Sequence, residues 1–92
     1  MEIKKGNNRF YIGESEQNDI ARVTWTVGNG NLIVLTHTFV SPELRGQSIA
    51  SKLMNKVVEF ARSENLKIKP VCSYAVAKLT RTDEYADILY NE

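Results

Sequence analysis

The chain has 92 residues, 42% of them hydrophobic and 25% charged, the balance of one folded domain over residues 1–92. A formal net charge of +1 argues against a nucleic-acid binder with a broadly basic surface, because phosphate neutralisation supplies most of that affinity. No apolar run approaches the roughly 20 residues that span a bilayer, no secretory segment follows Met1, and Cys72 is the single cysteine, so the expectation is a cytoplasmic protein without membrane attachment.

A short strand is predicted over residues 9–12, followed by a polar turn over residues 13–19. Then Ala21, Val23, Trp25 and Val27 alternate with Arg22, Thr24 and Thr26, the mark of a strand with one buried face. Gly28, Asn29, Gly30 and Asn31 predict a hairpin, since Gly and Asn accept the positive φ of tight turns. The returning strand, residues 32–40, is rich in β-branched side chains and closes an antiparallel meander. Trp25 and Phe39 read as packing residues.

Ser41 before Pro42 caps one helical turn. Beyond Gly46 the period changes: Ile49, Leu53, Val57 and Phe60 recur at three and four among Lys52, Lys56, Glu59 and Arg62. This predicts an amphipathic helix of about four turns, fading near Asn65. Residues 68–72 read as a strand with Pro70 marking an edge or irregularity. Residues 73–79 read as a short helix opened by a cap at Ser73, and residues 84–90 form an apolar segment too short to assign.

Between Val40 and Lys52 a strand enters a tight turn, Arg45, Gly46 and Gln47, which enters a helix N-terminus. Such an entry leaves several backbone N–H groups without intrahelical partners, and the helix dipole favours an anion there, a diphosphate above all. Lys52 in the first turn costs an isolated helix about 0.3–1 kcal/mol, a sign that a docked anion reverses. The alternative for Lys52 is a solvated side chain on an ordinary capped helix. The P-loop pattern is absent, which argues against a nucleotide phosphate site of that kind.

The run Val40, Ser41, Pro42, Glu43, Leu44, Arg45, Gly46, Gln47, Ser48, Ile49, Ala50 resembles the acetyl-CoA-binding motif of the GNAT superfamily of N-acetyltransferases, R/Q-x-x-G-x-G/A after a strand and a V-x-P step. Residues 9–89 as a whole, with Cys72, Ser73, Tyr74 and the closing Tyr85, Ala86, Asp87, Ile88, Leu89, resemble more narrowly the small YjdJ-type acetyltransferase-like proteins. The resemblance implies a minimal GNAT-like fold of the α/β (α+β) class: an antiparallel meander plus a splayed parallel strand, packed with one long and one short helix. It implies acetyl-CoA or coenzyme A as co-substrate. The pyrophosphate would rest on backbone N–H groups of Gln47, Ser48, Ile49 and Ala50, helped by Ser51, within a turn that also holds Arg45, Gly46 and Lys52. The pantetheine arm would pair with the backbone of Thr38, Phe39 and Val40.

Two departures stand out. The family carries Gly where this chain has Ser48; a left-handed backbone there would cost Ser ~1–2 kcal/mol, whereas Ser as a helix cap is favourable, and the cap is the expectation. Only residues 13–19 separate Ile12 from Ile20, too few for the two helices that shape the acceptor pocket in full-length members.

Acetyl transfer needs a neutral amine, a donor for the carbonyl oxygen and help for the departing thiolate. Cys72 could take the acetyl group covalently or be a small buried hydrophobe. His37 is the only histidine, and imidazole suits proton transfer near neutral pH. It would pair with Cys72 if the two approach, or serve as a structural residue; its neighbours Thr36 and Thr38 are expected on the opposite face. Tyr74 occupies the place where related enzymes put a tyrosine that protonates the thiolate, or it covers the core. Lys56, Lys78 and Arg81 are candidates for the 3′-phosphate. Asp83, Glu84 and Asp87 lack metal-ligand spacing with histidine or cysteine. The leading reading is an N-acetyltransferase, monomer or weak dimer, whose open site suits a protein lysine or another exposed amine. The alternative is an acetyl-CoA binding or sensor module without turnover.

Overall fold

The alternation at Ala21, Val23 and Trp25 extends across an entire sheet. In the computed structural model, which describes residues 2–90, five strands lie side by side in chain order: β1 (Lys4–Gly6), β2 (Arg9–Ser15), β3 (Asn18–Val27), β4 (Leu32–Val40) and β5 (Lys67–Pro70). The first four are antiparallel neighbours; β5 runs parallel to β4. A 3-10 turn, Pro42–Leu44, leads from β4 toward α1 (Ile49–Ser63), and α2 (Ser73–Thr80) follows β5.

Register puts Phe10 beside Val23, Ile12 beside Ala21 and Ile33 beside Ile68, all buried, so the apolar sets of successive strands share one face. Both helices cover that face. Leu53, Met54, Val57 and Ala61 of α1 and Ala75 and Leu79 of α2 are fully buried in one continuous core with the strands. Trp25 stacks on Phe60 of α1 at 5.5 Å between ring centroids, and Phe10 meets the same ring edge-on at 5.9 Å, which fixes the helix over β2 and β3. The other face, with Tyr11, Arg22, Thr24, Val34 and Phe39, has no buried residue among those described. The molecule is two layers thick.

Several boundaries differ from expectation. The polar turn over residues 13–19 is mostly strand, since β2 runs to Ser15 and β3 starts at Asn18, leaving Glu16 and Gln17 to turn. Gly13, at φ 148°, permits this by kinking the pair at a register shift opposite Asp19, where an added Cβ would meet the Asn18 carbonyl oxygen at 2.6 Å. No helix separates β2 from β3, as the short spacing implied. β1 was not expected, because Lys4, Lys5 and Gly6 carry no apolar alternation; it pairs through a turn at Asn7 and Asn8, the latter at φ 56°. β5 ends at Pro70 rather than at residue 72, and the cap of α2 is Cys72, not Ser73: its Sγ accepts the Ala75 N–H at 3.4 Å. The closing segment is anchored after all. Tyr85 and Ile88 enter the core, and Leu89 makes an isolated bridge to Ile68 beyond β5.

Candidate functional site

The site begins with an irregularity in β4. Thr38 pairs with Val23 and His37 with Thr24, but the next partner of β3, Trp25, faces Leu35, so Thr36 is an extra residue in a β-bulge. The Thr36 hydroxyl lies 3.4 Å from that of Thr24, which places Thr36 and His37 together on the uncovered face. The expectation that Thr36 lies opposite His37 is therefore corrected. Beyond the bulge the phase of the strand is reversed. Thr38 and Val40 share the helix side with their partners Val23 and Ala21, while Phe39 joins Arg22 on the uncovered face. Phe39 is thus no core residue; the Arg22 guanidinium sits 4.7 Å from its ring centroid.

β4 and β5 then part. Their pairing covers only Leu32 to Leu35, and the Leu35 carbonyl accepts both the Val71 and Cys72 N–H groups, at 3.0 and 3.2 Å, as the chain leaves the sheet. Residues 36–40 have no strand beside them on that edge among the described residues. The Ser41 N–H donates to the Ile20 carbonyl at 2.8 Å, toward β3. By period-two alternation Phe39 also bonds toward β3, and the N–H and C=O of Thr38 and Val40 point to the free edge. Cys72 closes the base of the wedge, its Sγ 3.4 Å from the Thr38 hydroxyl oxygen.

The upper end of the wedge is the entry to α1. Gly46 (φ 87°) and Ser48 (φ 58°, ψ 31°) are both left-handed, and the Ser48 side chain makes no capping hydrogen bond. The cap expected at Ser48 is therefore corrected: the strained alternative, at ~1–2 kcal/mol, is the one realised. The helical ladder starts with Lys52 N–H to the Ser48 carbonyl at 3.1 Å. That leaves the N–H groups of Ile49, Ala50 and Ser51 without an acceptor among the described residues. A cavity of about 290 Å³ lies over them, lined by Val40, Leu44, Arg45, Gly46 and Ser48 and closed by Tyr74 of α2. Arg45 in that lining is exposed, as are Gln47 in the turn and Lys52 in the first turn of α1.

Wedge and turn bring together Thr38, Val40, residues 45–51, Cys72 and Tyr74. His37 is not among them: exposed on the uncovered face, it stands across the sheet from Cys72, and the Cys72–His37 pair is not formed. Sequence reasoning missed the Thr38 hydroxyl as a partner of Cys72 and the bulge that turns it there. The available signal was the succession of two polar residues, Thr36 and His37, after the alternating Ile33 and Leu35. A larger cavity, about 460 Å³, lies at the far end of α1, where Arg62 forks onto Asp87 with both contacts at 3.1 Å. These hydrogen bonds hold the Asp87 carboxyl below its usual range and raise Arg62. The Lys67 ammonium donates to the Asp87 carbonyl beside them.

Comparison with known proteins agrees with this geometry. Residues 9–88 match the family model of the GCN5-related N-acetyl-transferases. A GCN5-like protein from Staphylococcus aureus, solved in solution, shares 45% identity at a TM-score of 0.81, over 99% of this chain and 89% of that one. A GNAT-family acetyltransferase of the same organism (TM-score 0.59, 18% identity, 85% of this chain and 50% of that chain) shares the fold. So does Rv2747 of Mycobacterium tuberculosis, solved in complex with CoA (TM-score 0.55, 11% identity, 87% and 62%). Among curated proteins none matches. With the wedge between β4 and β5, the open helix entry and these matches in hand, the chain belongs to the GCN5-related N-acetyltransferase family.

Proposed function

We propose that this chain is an acetyl-CoA-dependent N-acetyltransferase that acts on an exposed amine from the uncovered face of its sheet. The carrying observation is the set of N–H groups at Ile49, Ala50 and Ser51, left without acceptors among the described residues at a left-handed, uncapped helix entry that opens on a cavity. A diphosphate supplies what those groups lack, with Gln47 and Ser48 contributing their own amides and Arg45 and Lys52 their charge. The pantetheine arm then follows the free edge of β4, pairing with the backbone of residues 38–40.

At the base of the wedge a β4 amide, Thr38 or Val40, donates to the thioester carbonyl oxygen, an effect worth roughly 3–4 kcal/mol per donor in comparable sites. Cys72, as thiolate, attacks the carbonyl carbon; the acetyl–Cys72 bond forms, the coenzyme's C–S bond breaks, and Tyr74 protonates the departing sulfur. An amine arriving from the far face attacks the acetyl group, loses its proton to His37, and restores the Cys72 thiolate. The contact between Thr38 and Cys72 supports this order, because it sets the sulfur against the strand that holds the thioester. The single free thiol suits a reducing cytoplasm.

Titration with acetyl-CoA, followed by backbone N–H resonances, is expected to shift residues 46–51 and 38–40. Unmoved signals at millimolar coenzyme overturn the proposal. Intact mass after incubation with acetyl-CoA is expected to show one acetyl group on wild type and none on Cys72→Ala; equal addition on both removes the cysteine step. The lack of any helix between β2 and β3 favours one second reading, an acetyl-CoA binding module, and coenzyme binding without release of free CoA over a broad amine panel would select it.

A further inference from the structure

We propose that Thr38 and Cys72 together set the length of the acyl group this chain accepts, admitting acetyl and excluding longer acyl groups. This rests on the reading of the wedge between β4 and β5 as the place of the coenzyme thioester. Direction is the first argument. A thioester carbonyl carbon is trigonal and planar, so when its oxygen accepts a β4 amide, the sulfur and the acyl tail leave on the two remaining bonds. The sulfur follows the coenzyme arm toward the turn before α1. The acyl tail therefore runs the other way, into the narrow end of the wedge.

Depth is the second argument. Pairing of β4 with β5 ends at Leu35 and Pro70, and the Leu35 carbonyl then takes the Val71 and Cys72 N–H groups. Because of the bulge, residues 36–38 of β4 span only the two steps from Trp25 to Val23 on β3. The floor of the wedge thus lies about 7 Å below Thr38, two strand rises instead of three. Cys72 bridges that interval, with its N–H on Leu35 and its sulfur against Thr38.

Stiffness is the third argument. The Cys72 Sγ lies 3.4 Å from the Thr38 hydroxyl oxygen and 3.4 Å from the Ala75 nitrogen whose N–H it accepts, so the sulfur is held from two sides. Thr38 is β-branched and has few χ1 choices. A carbon inserted between the two side chains would need roughly 3.5–4 Å to each, about twice the gap that exists. Their neighbours Val23, Leu35 and Ala75 have no exposed surface and belong to the core, so neither side chain can retreat without disturbing it. An acetyl methyl ends at this contact. The next methylene meets it.

The test uses the intact protein and analogues of acetyl-, propionyl- and butyryl-CoA that carry a methylene in place of the thioester sulfur, so that no acyl group is transferred. Relative to free CoA, the acetyl analogue is expected to shift the amide signals of Thr38, Val40 and Cys72. The propionyl analogue should bind about tenfold more weakly than the acetyl analogue, the scale of one methylene too many in a fitted pocket, and the butyryl analogue no better than the propionyl. Thr38→Ala should bring propionyl within about threefold of acetyl. Thr38→Val, which keeps the bulk and loses the hydroxyl, should preserve the preference. Equal affinity for the three analogues in wild type, as when longer chains leave through the uncovered face, would overturn the proposal even if Thr38→Ala fails to fold. So would acyl-dependent shifts confined to residues away from Thr38 and Cys72, an undiminished preference in folded Thr38→Ala, or a preference lost equally in Thr38→Val. Shifts at residues 46–51 with free CoA report on the coenzyme reading separately, so its failure is distinguishable from a failure of acyl choice.

Discussion

Ser48 carries a conflict between two local rules. Serine favours helix entry when its hydroxyl caps, yet here the backbone is left-handed and the hydroxyl caps nothing. Ser48→Gly is accordingly expected to raise stability by about 1 kcal/mol, read as a higher urea midpoint, with acetyl-CoA binding retained. Gly46→Ala should do the reverse, losing about 1 kcal/mol. No atom lies within 4 Å of a Cβ built at Gly46, so the loss would come from its φ of 87° and not from a clash. At Cys72 the sulfur caps α2, and Cys72→Ser, which keeps a capping atom, should hold the urea midpoint near wild type while abolishing acetyl capture by mass. The turn was legible in the sequence because Gly46 accepts the positive φ that carries a strand into a helix. The handedness at Ser48 was not, since serine is compatible with both a cap and a strained turn.

Among the elements, β3 and α1 were the plainest, each repeating one period long enough to fix its buried side. Leu53, with no exposed surface at the centre of that helix face, should cost about 3 kcal/mol when cut to alanine, measured by equilibrium unfolding. β1 was illegible for the opposite reason: three residues with two lysines hold no pattern, and the strand exists because β2 offers an edge. The wedge between β4 and β5 is likewise a non-local product. It depends on a bulge opposite Thr24 and on one carbonyl, that of Leu35, which takes two N–H donors as β5 departs. Neither leaves a mark beyond the paired Thr36 and His37. That is why the sequence located the turn before α1 and left open whether His37 meets Cys72.

At the scale of the molecule, one of the contacts that hold the closing segment titrates. Arg62 at the end of α1 grips Asp87 and the Glu84 carbonyl. The hydrogen bond from Arg62 lowers the Asp87 pKa. A carboxyl whose pKa falls on folding adds stability above its unfolded value and loses it as pH drops through the folded one. The urea midpoint should therefore fall toward acid pH, and Asp87→Asn should flatten that limb while lowering the midpoint at neutral pH.

The one-sided sheet also sets which substitutions the chain can absorb. Along β2 and β3, alternate positions answer to the core and to solvent, so a saturation scan of folded yield should print stripes of intolerance two residues apart. In β4 the stripes should slip by one at Thr36: two permissive sites in succession, then restriction resuming at Thr38 on the opposite parity. Removing Thr36 outright would fuse the two phases into one unbroken alternation, in which Leu35 and Thr38 still face the core and His37 and Phe39 still face away, so the strand should lose its bulge and keep its facing.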